Sequence, residues 1–456
     1  MMMKVLKFGG TSVGTIESLR NVKNIVESIG SYSIVVVSAL GGLTDKLIAT
    51  AGMAASGNSA YEAEMPLMAQ RHFDIIDALV ASEKKESVRA AVCDLLEQLS
   101  QIYRGVSLIG DLPERTLCKI VSFGERMSSI IVAAIIENAC HMDSLELVKT
   151  EEWFNKNIAD RTLTEQLIRR HVHLPLDRHI VMGGFISRDR DSGEITNLGR
   201  GGSDYTAALV AAALNADMLE IWTDVNGFMT ADPRIIPDAR VIDRMSFIES
   251  MDLCSFGAKV IYPPTIYPVF HKNIPIKILN THNPGVAGTL ITDSTDNLPP
   301  GVRGVSSVKN SAVITIKGDI TANVAEINTR AYNTMARNGI SVLLVAQPRD
   351  TASFSLSMAQ TDVQKALEVL AGEFAPELQT GEVDDIVAEP ELAIIVAVGE
   401  SIRSMSGLGH RLLNTLQREG IEVKAVSIGT SETTIALVVK NSAADEALRL
   451  VHNVCF

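Results

Sequence analysis

Residues 183–214 have the sequence GGFISRDRDSGEITNLGRGGSDYTAALVAAAL, and this stretch is the most informative about the architecture of the chain. Within this stretch, the polar turn Gly199-Arg200-Gly201-Gly202-Ser203-Asp204 leads directly into the apolar helical segment 205–214. Exposed backbone N–H groups and the positive end of a helix attract anions, and glycines let a ligand approach the backbone. The turn therefore indicates an anion-binding site. A capped loop with Ser203 or Asp204 as N-cap is the plainer alternative.

The composition is that of a soluble protein with well-packed cores. The chain has 456 residues, which predicts two to four domains, and 46% of them are hydrophobic while 21% are charged. The net charge of −13 argues against a nucleic-acid-binding protein, which needs a basic face. No apolar run is long enough for a membrane span, and the apolar core near the start is too short for a signal peptide.

The cysteines predict neither a disulfide framework nor a zinc site. They are odd in number, scattered, and form no CxxC pair. Their pattern fits a reduced cytoplasmic location, and we predict no metal site built from protein ligands alone. The cysteines are Cys93, Cys118, Cys140, Cys254 and Cys455.

Strand-like apolar runs alternate with helical patterns through the first 290 residues or so. The predicted strands are 5–8, 34–38, 179–182 and 218–222, and the predicted helices are 18–28, 45–54, 123–137 and 204–214. This alternation predicts an α/β sheet covered by helices, with ligands at the carboxyl ends of the strands. Residues 61–109 have a long helical pattern and few strand features, which predicts a helical hairpin inserted in the sheet domain. Pro299-Pro300-Gly301 marks a domain boundary.

The C-terminal part contains an internal repeat. Ala312, Gly318 and Gly339 match Ala393, Gly399 and Gly420, always at an offset of 81 residues. Each copy has the pattern strand, helix, strand, strand, helix of a split βαβ fold. Two copies of a small fold behind a larger domain suggest a regulatory function, and dimerisation alone is the other interpretation.

Other polar turns follow strands in the same way. KFGGTS (residues 7–12) follows the first strand, with Thr11 or Ser12 available to cap the next helix, and VSALGGLT (residues 37–44) follows the second. SFGERMS (residues 122–128) predicts Glu125 and Arg126 at a helix start. The pattern GxxxxGK[ST] of the P-loop is absent. A structural strand-to-helix turn explains any one of these segments equally well.

Taken together in order, KFGGTSVG, SFGERMS, GRGGSDYTAAL, WTDVNGFMTADPR and FGAKV resemble the aspartate kinases of the amino-acid kinase superfamily. The repeat resembles the paired ACT domains of that family. The resemblance implies an amino-acid-kinase-type sheet between helices at residues 1–298, with the helical insertion at 61–109. It also implies two ferredoxin-like βαββα ACT domains, at 304–380 and 390–456. The closest likeness is to the kinase portion of bifunctional aspartokinase/homoserine dehydrogenases.

The implied reaction transfers the γ-phosphoryl group of ATP, with Mg²⁺, to the side-chain carboxylate of L-aspartate. A carboxylate with a pKa of roughly 3.9 is already ionised at neutral pH, so no general base is needed. Catalysis then depends on positioning and on charge neutralisation. The resemblance implies catalytic roles for Lys7 and Asp204, and aspartate contacts for Ser38, Thr44, Glu125, Arg200 and Ser203. ATP contacts are implied for Lys7, Gly9, Gly10, Thr223, Asp224, Met229, Arg234 and Lys259.

The resemblance also implies feedback regulation by an amino acid at the ACT domains of a homodimer or higher homo-oligomer. The implied effector contacts are Asn338, Ile340, Leu343 and Gln347. Leu343 stands where lysine-sensitive relatives carry an acidic residue, which favours threonine over lysine as the effector. Ser427-Ile428, where threonine-regulated relatives place a glutamine, weakens that preference, and Leu343 as simple strand core is an equally good interpretation.

Other functions fit parts of the pattern. One is an amino-acid sensor that has lost catalysis, although Lys7, Glu125, Arg200, Asp204 and Lys259 are all retained. Another is a kinase for glutamate, acetylglutamate or UMP, against which the GRGGSDYTAAL loop and the repeat both argue. The sequence also leaves open whether the chain is a free-standing enzyme or part of a bifunctional protein.

Overall fold

The computed structural model describes residues 3–153, 156–293, 301–318, 324–346, 354–400, 402, 405–428 and 433–456. Its strands are β1 (Lys4–Phe8), β2 (Ile34–Val37), β3 (Ala139–His141), β4 (Lys149–Trp153), β5 (Lys156–Ala159), β6 (His179–Gly183), β7 (Ile186–Asp189), β8 (Ile195–Asn197), β9 (Met218–Thr223), β10 (Arg244–Ser246), β11 (Ile276–Asn280), β12 (Thr289–Thr292), β13 (Gly304–Gly318), β14 (Leu344–Ala346), β15 (Phe354–Ala359), β16 (Val383–Val398), β17 (Val423–Ile428) and β18 (Thr434–Lys440). Its helices are α1 (Ile16–Ser28), α2 (Leu43–Ala55), α3 (Tyr61–Leu79), α4 (Ser82–Ile109), α5 (Glu114–Ile135), α6 (Ser144–Leu147), α7 (Arg161–His171), α8 (Gly202–Leu214), α9 (Phe247–Ser255), α10 (Ile266–Phe270), α11 (Val324–Arg337), α12 (Val363–Glu373), α13 (Ala375–Thr380), α14 (Leu408–Arg418) and α15 (Ala444–Cys455).

The chain forms two compact units. The first contains Met1–Phe228 and Val260–Asp293, and the second contains Met229–Lys259 and Ser294–Phe456. The segment Met229–Lys259 makes polar contacts with the C-terminal part of the chain. For example, the Val305 N–H donates to the Thr230 carbonyl at 2.8 Å. The predicted domain ranges follow the sequence continuously and place residues 229–259 in the domain 1–298; these ranges stay a prediction.

The main sheet of the first unit runs in the order β12-β11-β9-β1-β2-β6-β3. Its strands are parallel except β12, which pairs antiparallel with β11. Every residue of β2 and β6 is buried, as expected for strands of a parallel sheet covered on both faces. Helix α5 packs on β2, β3 and β6, while α8 packs on β1, β2 and β9. This arrangement confirms the predicted α/β fold class.

Residues 61–109 contain the two helices α3 and α4, which pack on each other and on α2. Their buried side chains, among them Ile76, Leu99 and Tyr103, join the same apolar cluster as Leu43 and Leu47 of α2. The helical pair is therefore continuous with the core beneath the loops that follow β1 and β2.

A second, smaller sheet in the first unit has the order β5-β4-β7-β8. The sequence pattern did not predict it, because its strands are short and carry polar residues, such as the ITN of β8.

The second unit contains a sheet with the order β14-β15-β13-β16-β18-β17. Its two long central strands pair antiparallel, and β-bulges divide the ladder into two parts. In one part, residues 311–318 pair with residues 383–392, which completes the first repeat. In the other part, residues 304–308 pair with residues 394–398, which belong to the second repeat. The second repeat therefore takes its last strand from the chain that precedes the first repeat.

No helix in the described part of the chain is long and apolar enough to cross a membrane.

Candidate active site

Lys7 lies near the carboxyl end of the central strand β1, between Val36 of β2 and Ile221 of β9. Its Nζ atom is 2.5 Å from Oδ1 of Asp204, in the first turn of α8. Both residues are only 8% exposed, so the ion pair lies at the edge of the core rather than in bulk water. A buried cation held by one carboxylate can meet further negative charge from a ligand.

The loops after β1 and β2 touch each other through glycines. A Cβ atom on Gly41 would lie 2.9 Å from the Gly10 carbonyl oxygen, and one on Gly10 would lie 3.3 Å from that of Ala39. A side chain at Gly41 would therefore push the loops apart. Their glycines leave the backbone of both loops open to a ligand.

Two helices begin at these turns without a side-chain cap. Helix α2 has Gly42 as its N-cap at φ 77°, and α8 has Gly201 at φ 68°, and neither helix has a side-chain hydrogen bond at this end. Their first N–H groups are available to an anion. Helix α1 is different, because Thr15 and Ser18 form a capping box, so the expected cap by Thr11 or Ser12 is wrong. The plainer alternative for the turn before α8, a cap by Ser203 or Asp204, is likewise not found.

Glu125 lies in the middle of α5 and not at a helix start as predicted, since this helix begins at Glu114. The predicted helix 123–137 included Gly124 but began nine residues too late. A Cβ on Gly124 would lie 2.7 Å from the Cβ of Ala39, so glycine lets the helix approach the loop closely. The Glu125 carboxyl accepts a hydrogen bond from Ala39 N–H at 3.1 Å through Oε1.

The other oxygen of Glu125, Oε2, is buried and has no hydrogen-bond partner among the described residues. Burial raises the pKa of Glu125 from its ordinary value of 4.5 to about 8, because a charged carboxylate loses its hydration there, and the Ala39 hydrogen bond opposes this only in part. A cation that entered the cavity would favour the ionised form.

A cavity of about 350 Å³ joins these groups. Two of its lining residues are joined directly, since the Ser38 hydroxyl donates to the Ser203 hydroxyl at 3.0 Å. The predicted site residues that line the cavity are Lys7, Gly10, Ser38, Thr44, Glu125, Ser203 and Asp204. The structure thus brings together the predicted catalytic pair and most of the predicted aspartate contacts.

Arg200 lies in the turn before α8, between two glycines that line the cavity, and it is exposed. Within the described residues, its guanidinium makes no hydrogen bond or ion pair. It is therefore free to bind a carboxylate in solution. Gly9, which also does not line the cavity, is fixed by a hydrogen bond of its N–H to the Trp222 carbonyl at 3.1 Å.

Of the predicted nucleotide contacts, only Lys7 and Gly10 line this cavity. Thr223 and Asp224 lie at the end of β9 in the first unit, where the Thr223 hydroxyl donates to Asp224 at 3.2 Å. Met229, Arg234 and Lys259 belong to the second unit. Arg234 is exposed, and its Nη2 is 2.7 Å from Asp232, so that arginine is already paired.

The predicted effector contacts lie around the end of α11 in the first repeat. Asn338 follows that helix and donates its side-chain amide to the Thr334 carbonyl, while Ile340 is buried in the core of the repeat. Leu343 is half-buried, and its N–H donates to the Ser357 carbonyl at 2.8 Å. Gln347 lies outside the described residues.

A larger cavity, of about 570 Å³, lies between α5 and the small sheet. None of the glycine-rich loops lines this cavity. Its charged lining residues include Arg190 and Glu151, which form an ion pair at 2.5 Å. The chemistry expected from the sequence lies in the smaller cavity.

Residues 2–280 match the amino acid kinase family, which is more than half of the chain. The chain belongs to the amino acid kinase family. Residues 395–454, within the second repeat, match an ACT domain. The family membership, the fold and the resemblance to aspartate kinases predicted from the motifs are thereby confirmed.

Several aspartokinases match this amino acid kinase along its whole length. It is 30% identical over 464 residues to a bifunctional aspartokinase/homoserine dehydrogenase of Haemophilus influenzae, with 100% of this chain and 56% of that protein covered. It is 28% identical over 457 residues to lysine-sensitive aspartokinase 3 of Escherichia coli, with 99% of each covered. The chain spans about half the length of the bifunctional relatives.

A crystal structure of E. coli aspartokinase III in complex with aspartate and ADP matches this fold with a TM-score of 0.85 at 27% identity, covering 99% of each chain. The same enzyme in complex with lysine and aspartate matches with a TM-score of 0.75. Both ligand sets are properties of that enzyme.

Sequence reasoning missed some residues of the cavity of this amino acid kinase. Phe185 and Asp45 also line it. Phe185 has a left-handed backbone at φ 66°, and its N–H donates to the Thr206 hydroxyl at 3.0 Å. The only signal for Phe185 was its position directly after Gly183, which ends β6, and Gly184. Asp45 resembles an ordinary acidic residue in a first helical turn.

Proposed function

We propose that this amino acid kinase is an aspartate kinase, which converts ATP and L-aspartate into ADP and 4-phospho-L-aspartate. An oxygen of the aspartate side-chain carboxylate attacks the γ-phosphorus of ATP, and the bond from that phosphorus to the β-phosphate oxygen breaks. The nucleophile needs no base, because its carboxyl group is ionised at neutral pH. The main difficulty of the reaction is that one anion, the aspartate carboxylate, must approach another, the triphosphate of ATP.

The observation that carries this proposal is the Lys7–Asp204 pair beside two uncapped helix starts. Lys7 supplies positive charge to the transferred phosphoryl group, and Asp204 holds the lysine in place. The N–H groups of the loop containing Gly9 and Gly10 approach the phosphate oxygens. Fixed donors in a partly dehydrated site stabilise developing charge more strongly than water does.

Recognition of aspartate requires groups for two carboxylates and one ammonium. Arg200 is exposed and free among the described residues, so its planar guanidinium suits the α-carboxylate. Glu125 lines the cavity and has an unpartnered carboxyl oxygen, so it is the proposed partner of the α-ammonium. Hydroxyls of Ser38, Thr44 and Ser203 complete the aspartate contacts.

On the nucleotide side, Thr223, Asp224, Met229, Arg234 and Lys259 are proposed to contact ATP. No group of three or more His, Cys, Asp or Glu residues in the described part of the chain forms a metal site. Mg²⁺ binds through phosphate oxygens and water with few protein ligands, so this donor set fits Mg²⁺ that arrives as the ATP complex. Bound there, Mg²⁺ neutralises charge on the phosphate oxygens.

Regulation is proposed to act through the two ACT-like repeats of a homodimer or higher homo-oligomer. Threonine or lysine is the proposed effector, at Asn338, Ile340, Leu343 and Gln347. The enzyme would act in the cytoplasm, in the first step of lysine, threonine and methionine biosynthesis. E. coli aspartokinase III, a full-length relative, has been crystallised with lysine, which supports an amino-acid effector.

The test is a coupled assay for ADP release with L-aspartate, together with trapping of the acyl phosphate by hydroxylamine. Both signals should require L-aspartate, and L-glutamate, acetylglutamate and UMP should give neither. Amino-acid binding with neither ADP release nor a hydroxylamine-trapped product would identify a sensor instead. ADP release with another acceptor would identify a different amino acid kinase.

A further inference from the structure

Arg71 of α3 connects the helical pair α3–α4 to both glycine-rich loops of the active site. Its Nη2 atom donates to the Gly14 carbonyl oxygen at 2.9 Å and to that of Gly41 at 2.8 Å. Gly14 closes the loop after β1, and Gly41 lies in the loop after β2. One guanidinium nitrogen therefore bridges two chain segments that are adjacent in space but 27 residues apart in the sequence.

These two loops have few other polar links. Ser38 N–H donates to the Phe8 carbonyl at 3.1 Å where the strands end. Beyond that point, no backbone hydrogen bond joins residues 9–14 to residues 39–42 in the described structure. The loops touch glycine to glycine, since a Cβ on Gly41 would lie only 2.9 Å from the Gly10 carbonyl oxygen and one on Gly14 would lie 3.5 Å from the Gly41 nitrogen.

The helical pair also holds the helix that follows the second loop. Glu64 of α3 forms an ion pair with Lys46 of α2. The Tyr103 hydroxyl of α4 donates to the Leu47 carbonyl of α2 at 3.0 Å. Helix α2 begins at Leu43, one residue before Thr44 at the cavity. The pair α3–α4 thus contacts the second loop and its helix at three polar points.

The separation of the two loops matters for the reaction. Under the proposed function, on which this inference rests, the loop after β1 holds the phosphoryl group and the loop after β2 holds aspartate. In-line transfer requires the reacting atoms within about 3–3.5 Å, and a misplacement of about 1 Å can cost roughly a hundredfold in rate. Arg71 does not line the cavity, so it would act on the substrates only through the two loops.

We propose that Arg71 is a positioning residue that fixes the aspartate-binding loop relative to the phosphoryl-binding loop. Within the insertion α3–α4, this role belongs to Arg71 alone, whose side chain keeps the two loops at a fixed separation.

The test compares Arg71→Met, Arg71→Lys and a control, Arg89→Met. Arg89 also lies in the helical pair, where it binds Asp77 at 2.8 Å and covers the Phe73 ring, but it is half-buried and contacts neither loop. Arg71→Met should lower kcat/KM for aspartate by at least about tenfold and raise the aspartate KM. Arg71→Lys keeps a cationic donor and should restore part of the loss, and Arg89→Met should stay within about twofold of wild type.

Hydrogen exchange gives a second measurement that does not depend on activity. Amides of residues 9–14 and 39–46 should exchange faster in Arg71→Met than in wild type, and should be unchanged in Arg89→Met. A variant that only folded less well would lower the yield of active enzyme with an unchanged aspartate KM, which would overturn the proposal. Unchanged exchange in both loops would overturn it as well. If wild type fails to phosphorylate aspartate, the proposed function fails, and the exchange comparison still decides the role of Arg71.

Discussion

Replacing Glu125 by glutamine is expected to weaken aspartate binding and to remove its dependence on pH. In the free protein, burial holds the pKa of Glu125 at about 8, so roughly nine in ten of these carboxyls are protonated at pH 7. At pH 8.5 the protonated share falls to about a quarter by the same relation. An ammonium group binds the ionised carboxylate, so only the ionised fraction is competent.

The magnitude follows from that fraction. An apparent dissociation constant equals the intrinsic one divided by the competent share, so aspartate should bind wild type roughly eightfold more tightly at pH 8.5 than at pH 7. Binding should release about 0.9 proton per aspartate at pH 7 and about 0.2 at pH 8.5. The sign is fixed: the pKa of a buried acid falls when a cation binds beside it, so protons leave and affinity rises with pH.

Isothermal titration calorimetry with L-aspartate, in buffers of different ionisation enthalpy, measures both quantities. Glu125→Gln should show neither the affinity change nor the proton release that Glu125 causes. Glu249→Gln is the matched control, because burial also raises the pKa of Glu249, which lies in α9 and does not line the cavity. Equal affinity and no proton release for wild type between pH 7 and 8.5 would refute the assignment of Glu125 to the ammonium group.

Three other changes test the remaining assignments. Lys7→Ala should lower kcat about a hundredfold, equivalent to roughly 3 kcal/mol of barrier, while thermal unfolding shows a folded protein; near-normal turnover would remove Lys7 from the chemistry. Arg200→Lys should raise the aspartate KM and leave the ATP KM nearly unchanged in steady-state kinetics, because lysine cannot form a bidentate fork, and a fall in ATP affinity would contradict the division of the site. Deleting residues 306–456 should abolish inhibition by amino acids. Titration of the intact enzyme should show inhibition by threonine rather than lysine, since Leu343 offers no charge to an ε-ammonium, and strong inhibition by lysine alone would refute that argument.

The strands β1, β2, β6 and β9 of the main sheet could be predicted because a fully buried parallel strand is a short, continuous apolar run. IVVV of β2 and the corresponding run of β6 are buried throughout, so their sequence leaves few alternatives. The turns at their carboxyl ends placed Lys7, Ser38 and Thr44 at one edge, where the cavity joins them. Local patterns were sufficient for this part of the fold and of the site.

The rest depended on contacts between distant parts of the chain. The start of α5 was placed too close to Gly124 because nothing local reveals that Ala39 packs against this glycine in the middle of the helix. Arg71 resembled an ordinary charged residue of an amphipathic helix, since its two carbonyl partners lie far away in the sequence. The pKa of Glu125 depends on burial, which requires the assembled core.

The pairing of residues 304–308 with residues 394–398 makes the first repeat an insertion into a β-hairpin of the second. Val308 lies opposite Ile394, so the chain leaves the hairpin and returns to it at neighbouring positions. A short turn between residues 308 and 392 would close that hairpin without a change of register. Replacing the first repeat by such a turn is therefore expected to leave the strand pairing of the second repeat intact. The second repeat cannot be separated in the same way. Dividing the chain between the two repeats would remove residues 304–308, which form the edge strand of the second repeat.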